Sequence, residues 1–303
     1  MRKFVVCPIL AVALGAAGFA LRKWELSTAF EPETGLVTPG MPSTIALIAV
    51  SAAAVLLFLL CAMGKHADFT GEFHQAFAAK GNTFFLSAAV LGAFLAFGGA
   101  ALELASVAGS YREARAMALQ GMGGNPFLAI LLPVVLAGFS AAAGASVLML
   151  ARKCYRGETV ERMSGGVLLP AYALCLWLIV AYQARASDPV IQDYIYELLA
   201  IICALLAAYY LAGFAFQRPR PGKTVFFALS GVYFSLVTLA DRHDPATLLL
   251  YGFCVCYLLA FVTALLAQDG RPRPVQEPEG PRMPGEADQD NEIKLEGFPN
   301  ESE

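Results

Sequence analysis

Apolar residues gather in eight long runs along the chain, and polar residues are confined to the short segments between them. The runs cover residues 4–20, 44–63, 83–105, 127–151, 166–183, 194–216, 224–240 and 246–267. Each approaches the roughly 20 residues that a helix needs to cross a hydrocarbon core about 30 Å thick. Periodicity alone does not separate a buried helix from a membrane span, but eight runs of this length predict an all-α, polytopic transmembrane bundle over residues 1–267. The pattern stops at residue 268. The remainder, "QDGRPRPVQEPEGPRMPGEADQDNEIKLEGFPNESE", is rich in Pro, Gly and acidic residues. So few apolar side chains cannot offset the entropy of ordering, which predicts a disordered acidic tail over 268–303. Within it, "NEIKLEGF" is a candidate docking segment for another membrane or cytoplasmic protein.

The first run, "MRKFVVCPILAVALGAAGFA", has the basic start and small-residue end of a secretory signal. Its apolar part, about 17 residues, exceeds the usual 7–15 of such signals and favours a retained span; cleavage would leave seven spans in the same orientation. Orientation follows from Lys and Arg, which cytoplasmic loops retain. With the N-terminus inside, the inner segments carry Arg2, Lys3, Lys65, Lys80, Arg152, Lys153, Arg156, Arg162, Arg218, Arg220, Lys223, Arg271 and Arg273, 13 in all. The outer segments carry 6: Arg22, Lys23, Arg112, Arg115, Arg185 and Arg242. Both termini are therefore expected in the cytoplasm. Cys154, placed in an inner loop, should meet a membrane-impermeant thiol reagent only after the cell is opened.

Composition agrees. The 303 residues are 58% hydrophobic and 15% charged, with a mean hydropathy of +0.61. A water-facing surface does not tolerate that balance, so the lipid bilayer is the expected surroundings. The net charge of −3 places acids in the tail and bases in short loops, which argues against nucleic acid as a partner. The cysteines, Cys7, Cys61, Cys154, Cys175, Cys203, Cys254 and Cys256, avoid the outer loops and read as reduced thiols filling helix contacts. In "GFCVCYLL" the pair is two residues apart, so its side chains diverge on a helix, which argues against metal or redox work.

Helices in lipid associate through close backbones and hence small residues at four-residue spacing. Such rows occur at Ala88, Gly92, Ala96 and Ala100, at Ala137, Ala141 and Ala145, and at Ala200, Ala204, Ala208 and Ala212. Pro133, inside the fourth run, should kink it. Phe69, Phe73 and Phe77, four apart, fit either a short helix lying in the membrane interface or a helical cap facing the core. "YQARASDPVIQDYIYELLA" leading to "FQRPRPGK", and "LADRHDPATLLLYGF" leading to "DGRPRPVQ", would make a parallel repeat if the last two hairpins are duplicated.

No ionisable residue lies near the middle of a run, which removes a Schiff-base lysine, a voltage sensor and a midplane proton relay. No H-E-x-x-H helix or G-x-S-x-G elbow occurs, so no catalytic residue is assigned. His66 and His74 belong inside and His243 outside, so they share no metal, and no cofactor is expected.

What remains is the outer face. Glu25, Glu31 and Glu33, then Glu103, Arg112 and Arg115, then Arg185, Asp188, Asp193, Tyr194, Tyr196 and Glu197, and finally Asp241, Arg242, His243 and Asp244 would converge there in a bundle. Asp193 and Glu197 share a helix face, and Arg185 is the nearest basic residue in sequence. The favoured reading is an Arg-carboxylate lock between helix ends with the tyrosines as belt anchors. The rival is a site for a cationic ligand.

At "LRKWELSTAFEPETGLVTPGMPST" and again at "ARASDPVIQDYIYELLA" the chain resembles a family of multi-spanning membrane proteins of anaerobic gut Firmicutes of the clostridial group. That resemblance implies a bacterial cytoplasmic membrane. No activity is established for that family, so it transfers no functional residue. The expected function is a non-enzymatic sensor, scaffold or transport-accessory component with a polar outer face, the alternative being a small-solute permease.

Overall fold

A computed structural model describes residues 3–31, 36–63, 73–120, 125–158, 164–186 and 190–269. Glu33, His66, Phe69, Asp188 and the tail from residue 270 onward, with its candidate docking segment, lie outside the described residues. The elements are helices α1 (Lys3–Thr28), α2 (Pro42–Ala62), α3 (Phe73–Ala76), α4 (Thr83–Leu119), α5 (Pro126–Arg156), α6 (Ser164–Val167), α7 (Leu169–Arg185), α8 (Ile191–Ala215), α9 (Pro221–Thr238) and α10 (Pro245–Asp269). Beyond α1, an isolated antiparallel bridge pairs Phe30 with Val37.

Among the described residues, seven helical segments are long and apolar enough to cross a membrane: Val5–Thr28, Pro42–Ala62, Thr83–Leu119, Ile130–Arg156, Gly165–Arg185, Ile191–Ala215 and Pro245–Gln268. The eighth expected span, α9, is 18 residues long and falls short, because Lys223, Thr224, Ser230, Tyr233, Ser235 and Thr238 dilute its apolar side chains. Its position explains the dilution. Packed against α8, α1, α10 and α2, α9 is the innermost helix, and most of it is buried. A helix sheathed by other helices needs small side chains more than greasy ones. A Cβ at Gly231 would sit 2.7 Å from Leu258 Cδ1 and 3.3 Å from the Ala204 backbone nitrogen, so only glycine admits α8 and α10 this close. The row Ala200, Ala204, Ala208 and Ala212 is buried along α8, which packs against α9. On α5 the expected row is only partly buried, and the tight approach is at Gly144, whose Cβ would lie 3.1 Å from the Ala93 carbonyl of α4.

Other boundaries move. α1 continues eight residues past the expected end at Ala20, since no Pro or Gly interrupts "LRKWELST" before Pro32. α4, with 37 residues, is about 55 Å long and outruns a bilayer, so its exposed last turns carry Arg112 and Arg115 away from the bundle. α10 runs two residues into the expected tail, and Gln268 donates a hydrogen bond to the Ala78 carbonyl. α5 remains helical through Pro133. Phe73 and Phe77 are buried, and the Phe77 ring lies 5.1 Å from Phe214 and 5.6 Å from Phe261, so α3 caps the core. Cys154 lies in α5, not in a loop, and is fully buried, so it is no handle for a water-borne thiol reagent. Cys175 is exposed on α7 and fills no helix contact, whereas the Cys7 and Cys61 sulfurs approach to 3.1 Å.

The ends of α1, α4, α7 and α9 meet the starts of α2, α5, α8 and α10 at one pole, the polar end. α9 starts where α8 finishes and ends beside the first turn of α8, so it runs the full distance between the two poles.

Candidate functional site

The extension of α1 delivers Arg22 into the polar end as a side chain with 0% exposure. Its guanidinium is used on all three nitrogens. Nε donates to Asp241 Oδ1 at 2.7 Å, Nη1 to Glu25 Oε2 at 2.7 Å and to the Gln192 carbonyl at 3.1 Å, and Nη2 to the Asp193 carbonyl at 2.8 Å. The Tyr196 and Phe30 rings flank it at 5.2 and 5.7 Å. Only a planar fork reaches so many oxygens at once. Asp241 also accepts from Thr238 Oγ1 at 3.0 Å. Burial pushes the Asp241 carboxyl above the usual aspartate range, against the opposing pull of Arg22.

A second clamp stands beside it. Arg185, at the end of α7, donates from Nη1 to Asp193 Oδ2 at 3.1 Å, and its Nη2 lies 3.2 Å from Glu197 Oε2. The first turns of α8 thus receive both arginines, Arg22 on two carbonyls and Arg185 on two carboxylates. Among these paired groups, two arginines face four carboxylates, Glu25, Asp241, Asp193 and Glu197, and carboxylate charge is in excess.

The remaining predicted residues separate into different roles. Asp244 caps α10: Oδ2 accepts from the Ala246 and Thr247 backbone N–H groups at 3.1 and 3.2 Å, and Oδ1 from Thr247 Oγ1 at 2.6 Å. His243 Nε2 lies 2.9 Å from the Thr238 carbonyl; a carbonyl only accepts, so that nitrogen carries the proton. Its ring neighbours Tyr251 at 5.1 Å, and Tyr251 neighbours Trp177 at 4.7 Å. Tyr194 is half-buried, and Glu31 is exposed beyond the end of α1. Arg185 and Arg242 occupy matching places in the two sequence-alike hairpins, yet one clamps α8 and the other is exposed.

Between α4, α5, α7, α8 and α10 lies a cavity of about 520 Å³, lined by Glu103, Ser106, Trp177, Arg185, Glu197, Arg242, His243, Asp244 and Thr247 among others. Of the predicted outer-face residues it gathers Glu103, Arg185, Glu197, Arg242, His243 and Asp244. Asp241, Asp193, Tyr194 and Tyr196 are not among its lining, and Arg112 and Arg115 lie on the projecting end of α4. A second cavity of about 680 Å³, between α2 and α8, is largely apolar, with Glu25, Thr44, Ser51, Gln192 and Tyr196 as its polar members. Among the described residues, no group of three or more His, Cys, Asp or Glu is placed to hold a metal ion.

Arg22 is the residue that sequence reasoning missed as a partner, having counted it as a loop charge. The breaker-free stretch from Leu21 to Phe30 is the signal that α1 carries it inward.

With seven long apolar helices, the chain is a multi-pass helical membrane protein. It matches no protein-family model, no curated protein and no solved structure.

Proposed function

We propose that this is a non-enzymatic, eight-span protein of the bacterial cytoplasmic membrane, with both termini inside and the polar end outside, that senses a small cationic solute at its polar end. The observation carrying this reading is the cavity of about 520 Å³, whose lining includes Glu103, Glu197 and Asp244 together with Trp177. Carboxylates with an aromatic face suit an amine-bearing molecule. The two clamps fix the helix ends around the cavity, which suits a receptor or scaffold better than a permease whose outer end must part.

Glu103 separates recognition from structure, because no ion pair involves it among the described residues, whereas Glu197 belongs to a clamp. In a thermal-shift screen of amines, amino acids, sugars and inorganic cations, an amine should raise the Tm, and Glu103→Gln should abolish that shift at an unchanged basal Tm. A screen with no amine hit sinks the receptor reading, and solute-dependent uptake in proteoliposomes would replace it with the permease.

For the topology, α9 supplies the support, since its 18 residues span about 27 Å between the two poles. Ser110→Cys, on the exposed end of α4, should label with an impermeant thiol reagent in intact cells. Arg152→Cys, exposed near the end of α5, should label only after permeabilisation. The reverse pattern would invert the protein.

A further inference from the structure

At the pole opposite the clamps, the chain passes from α8 to α9 through "FQRPRPGK", Phe216–Lys223. Gln217 takes a left-handed conformation with φ 55°, and the Arg218 N–H returns to the Gly213 carbonyl at 2.9 Å, closing the end of α8. A Cβ at Gly213 would lie 3.0 Å from the Arg218 carbonyl oxygen, so glycine permits the fold-back. Pro219 and Pro221 then hold the backbone rigid on either side of Arg220.

This turn presents Arg218 and Arg220 to a cavity of about 570 Å³, walled by Leu168, Tyr209, Tyr210, Ala212, Gly213 and Phe216. Among the described residues, no acidic residue lines it. Lys223 adds a third positive charge next to it, its Nζ lying 5.5 Å from the centre of the Tyr210 ring. The contrast with the polar end is direct: each clamp arginine is held by two carboxylates, whereas neither Arg218 nor Arg220 makes an ion pair among the described residues. Tyr209 and Phe216, exposed at 58% and 47%, carry the wall onto the outward face of α8. Since α8 is long enough to span the bilayer, its last turn stands at headgroup depth.

We propose that this cavity seats the phosphate of an anionic phospholipid, with the guanidinium forks on the phosphate oxygens and an acyl chain lying along Tyr209 and Phe216. Arginine pairs with phosphate in bidentate geometry, and basic pockets between spanning helices suit such headgroups. The lipid is favoured over free phosphate because the basic rim is continuous with an aromatic face turned toward the bilayer. This inference is independent of the receptor reading, since it concerns the other pole.

The test uses the full chain purified in mild detergent. Adding phosphatidylglycerol should raise the Tm and leave lipid adducts in native mass spectra, while phosphatidylcholine does neither. Arg218→Gln/Arg220→Gln should weaken phosphatidylglycerol binding by about tenfold or more, at two lost charges near the headgroup. Its Tm in phosphatidylcholine should stay at the wild-type value, and Arg152→Gln, at the same pole, should bind as wild type. Arg220→Lys, which keeps the charge and loses the fork, should fall between. Equal binding of both lipids, or undiminished binding by a folded double variant, overturns the site. An equal shift from inorganic phosphate alone overturns the lipid as its occupant.

Discussion

Replacing Arg22 with leucine should destabilise the bundle by about 3–5 kcal/mol, the range for removing one partner of a buried ion pair. The variant leaves Glu25 and Asp241 buried without their cation, and it frees the Gln192 and Asp193 carbonyls from the fork. Thermal unfolding of detergent-purified protein reads the loss. The damage is electrostatic rather than a matter of shape, so adding Glu25→Gln and Asp241→Asn to Arg22→Leu should recover part of it. Arg22→Lys should recover less than its charge implies, because an ammonium cannot address all four oxygens in one plane. A wild-type Tm for Arg22→Leu would mean that the clamp does not hold α1, α8 and the α9–α10 turn together.

The second large effect is expected at the centre. Gly231→Leu drives a side chain into Leu258 on one side and the Ala204 backbone on the other. Overpacking typically costs about 1–3 kcal/mol, and a backbone neighbour cannot move aside as a side-chain tip does. The folded yield should fall steeply, with partial rescue by Leu258→Ala. Gly138→Leu is the control, as a Cβ there meets nothing within 4 Å. Equal loss in both variants would assign the defect to leucine in a helix glycine position rather than to the α8–α9–α10 contact.

Legibility in the sequence tracked the range of the force involved. Apolar runs located every long helix because burial in lipid is read residue by residue. The run ends were less visible: the charges of Arg22 and Glu25 end the apolar pattern, yet α1 continues, since helix formation needs only the absence of a breaker. Arg185 with Asp193 and Glu197 lay within one short stretch, and their proximity could be inferred. Arg22 meets Asp241 across 219 positions and the Gln192 carbonyl across 170, and nothing local to Leu21–Lys23 announces either partner. Cys154 looked like a loop residue because Arg152, Lys153 and Arg156 surround it, but on a helix its side chain turns to the buried face while its neighbours remain at the surface.

By itself, the sequence determined that the chain belongs in a bilayer, that it is built of long helices, and that its charge is expelled to their ends, because each follows from composition and spacing over a few turns. Only the tertiary structure decided that α9, which falls short of a spanning helix in length and apolar content, is the innermost, and that Arg22 rather than Arg185 is the fully buried clamp. It also decided that the acids are shared between a cavity, a helix cap and two ion-pair centres. Those outcomes depend on which helix lies beside which, and that choice is made by packing between residues far apart in the chain.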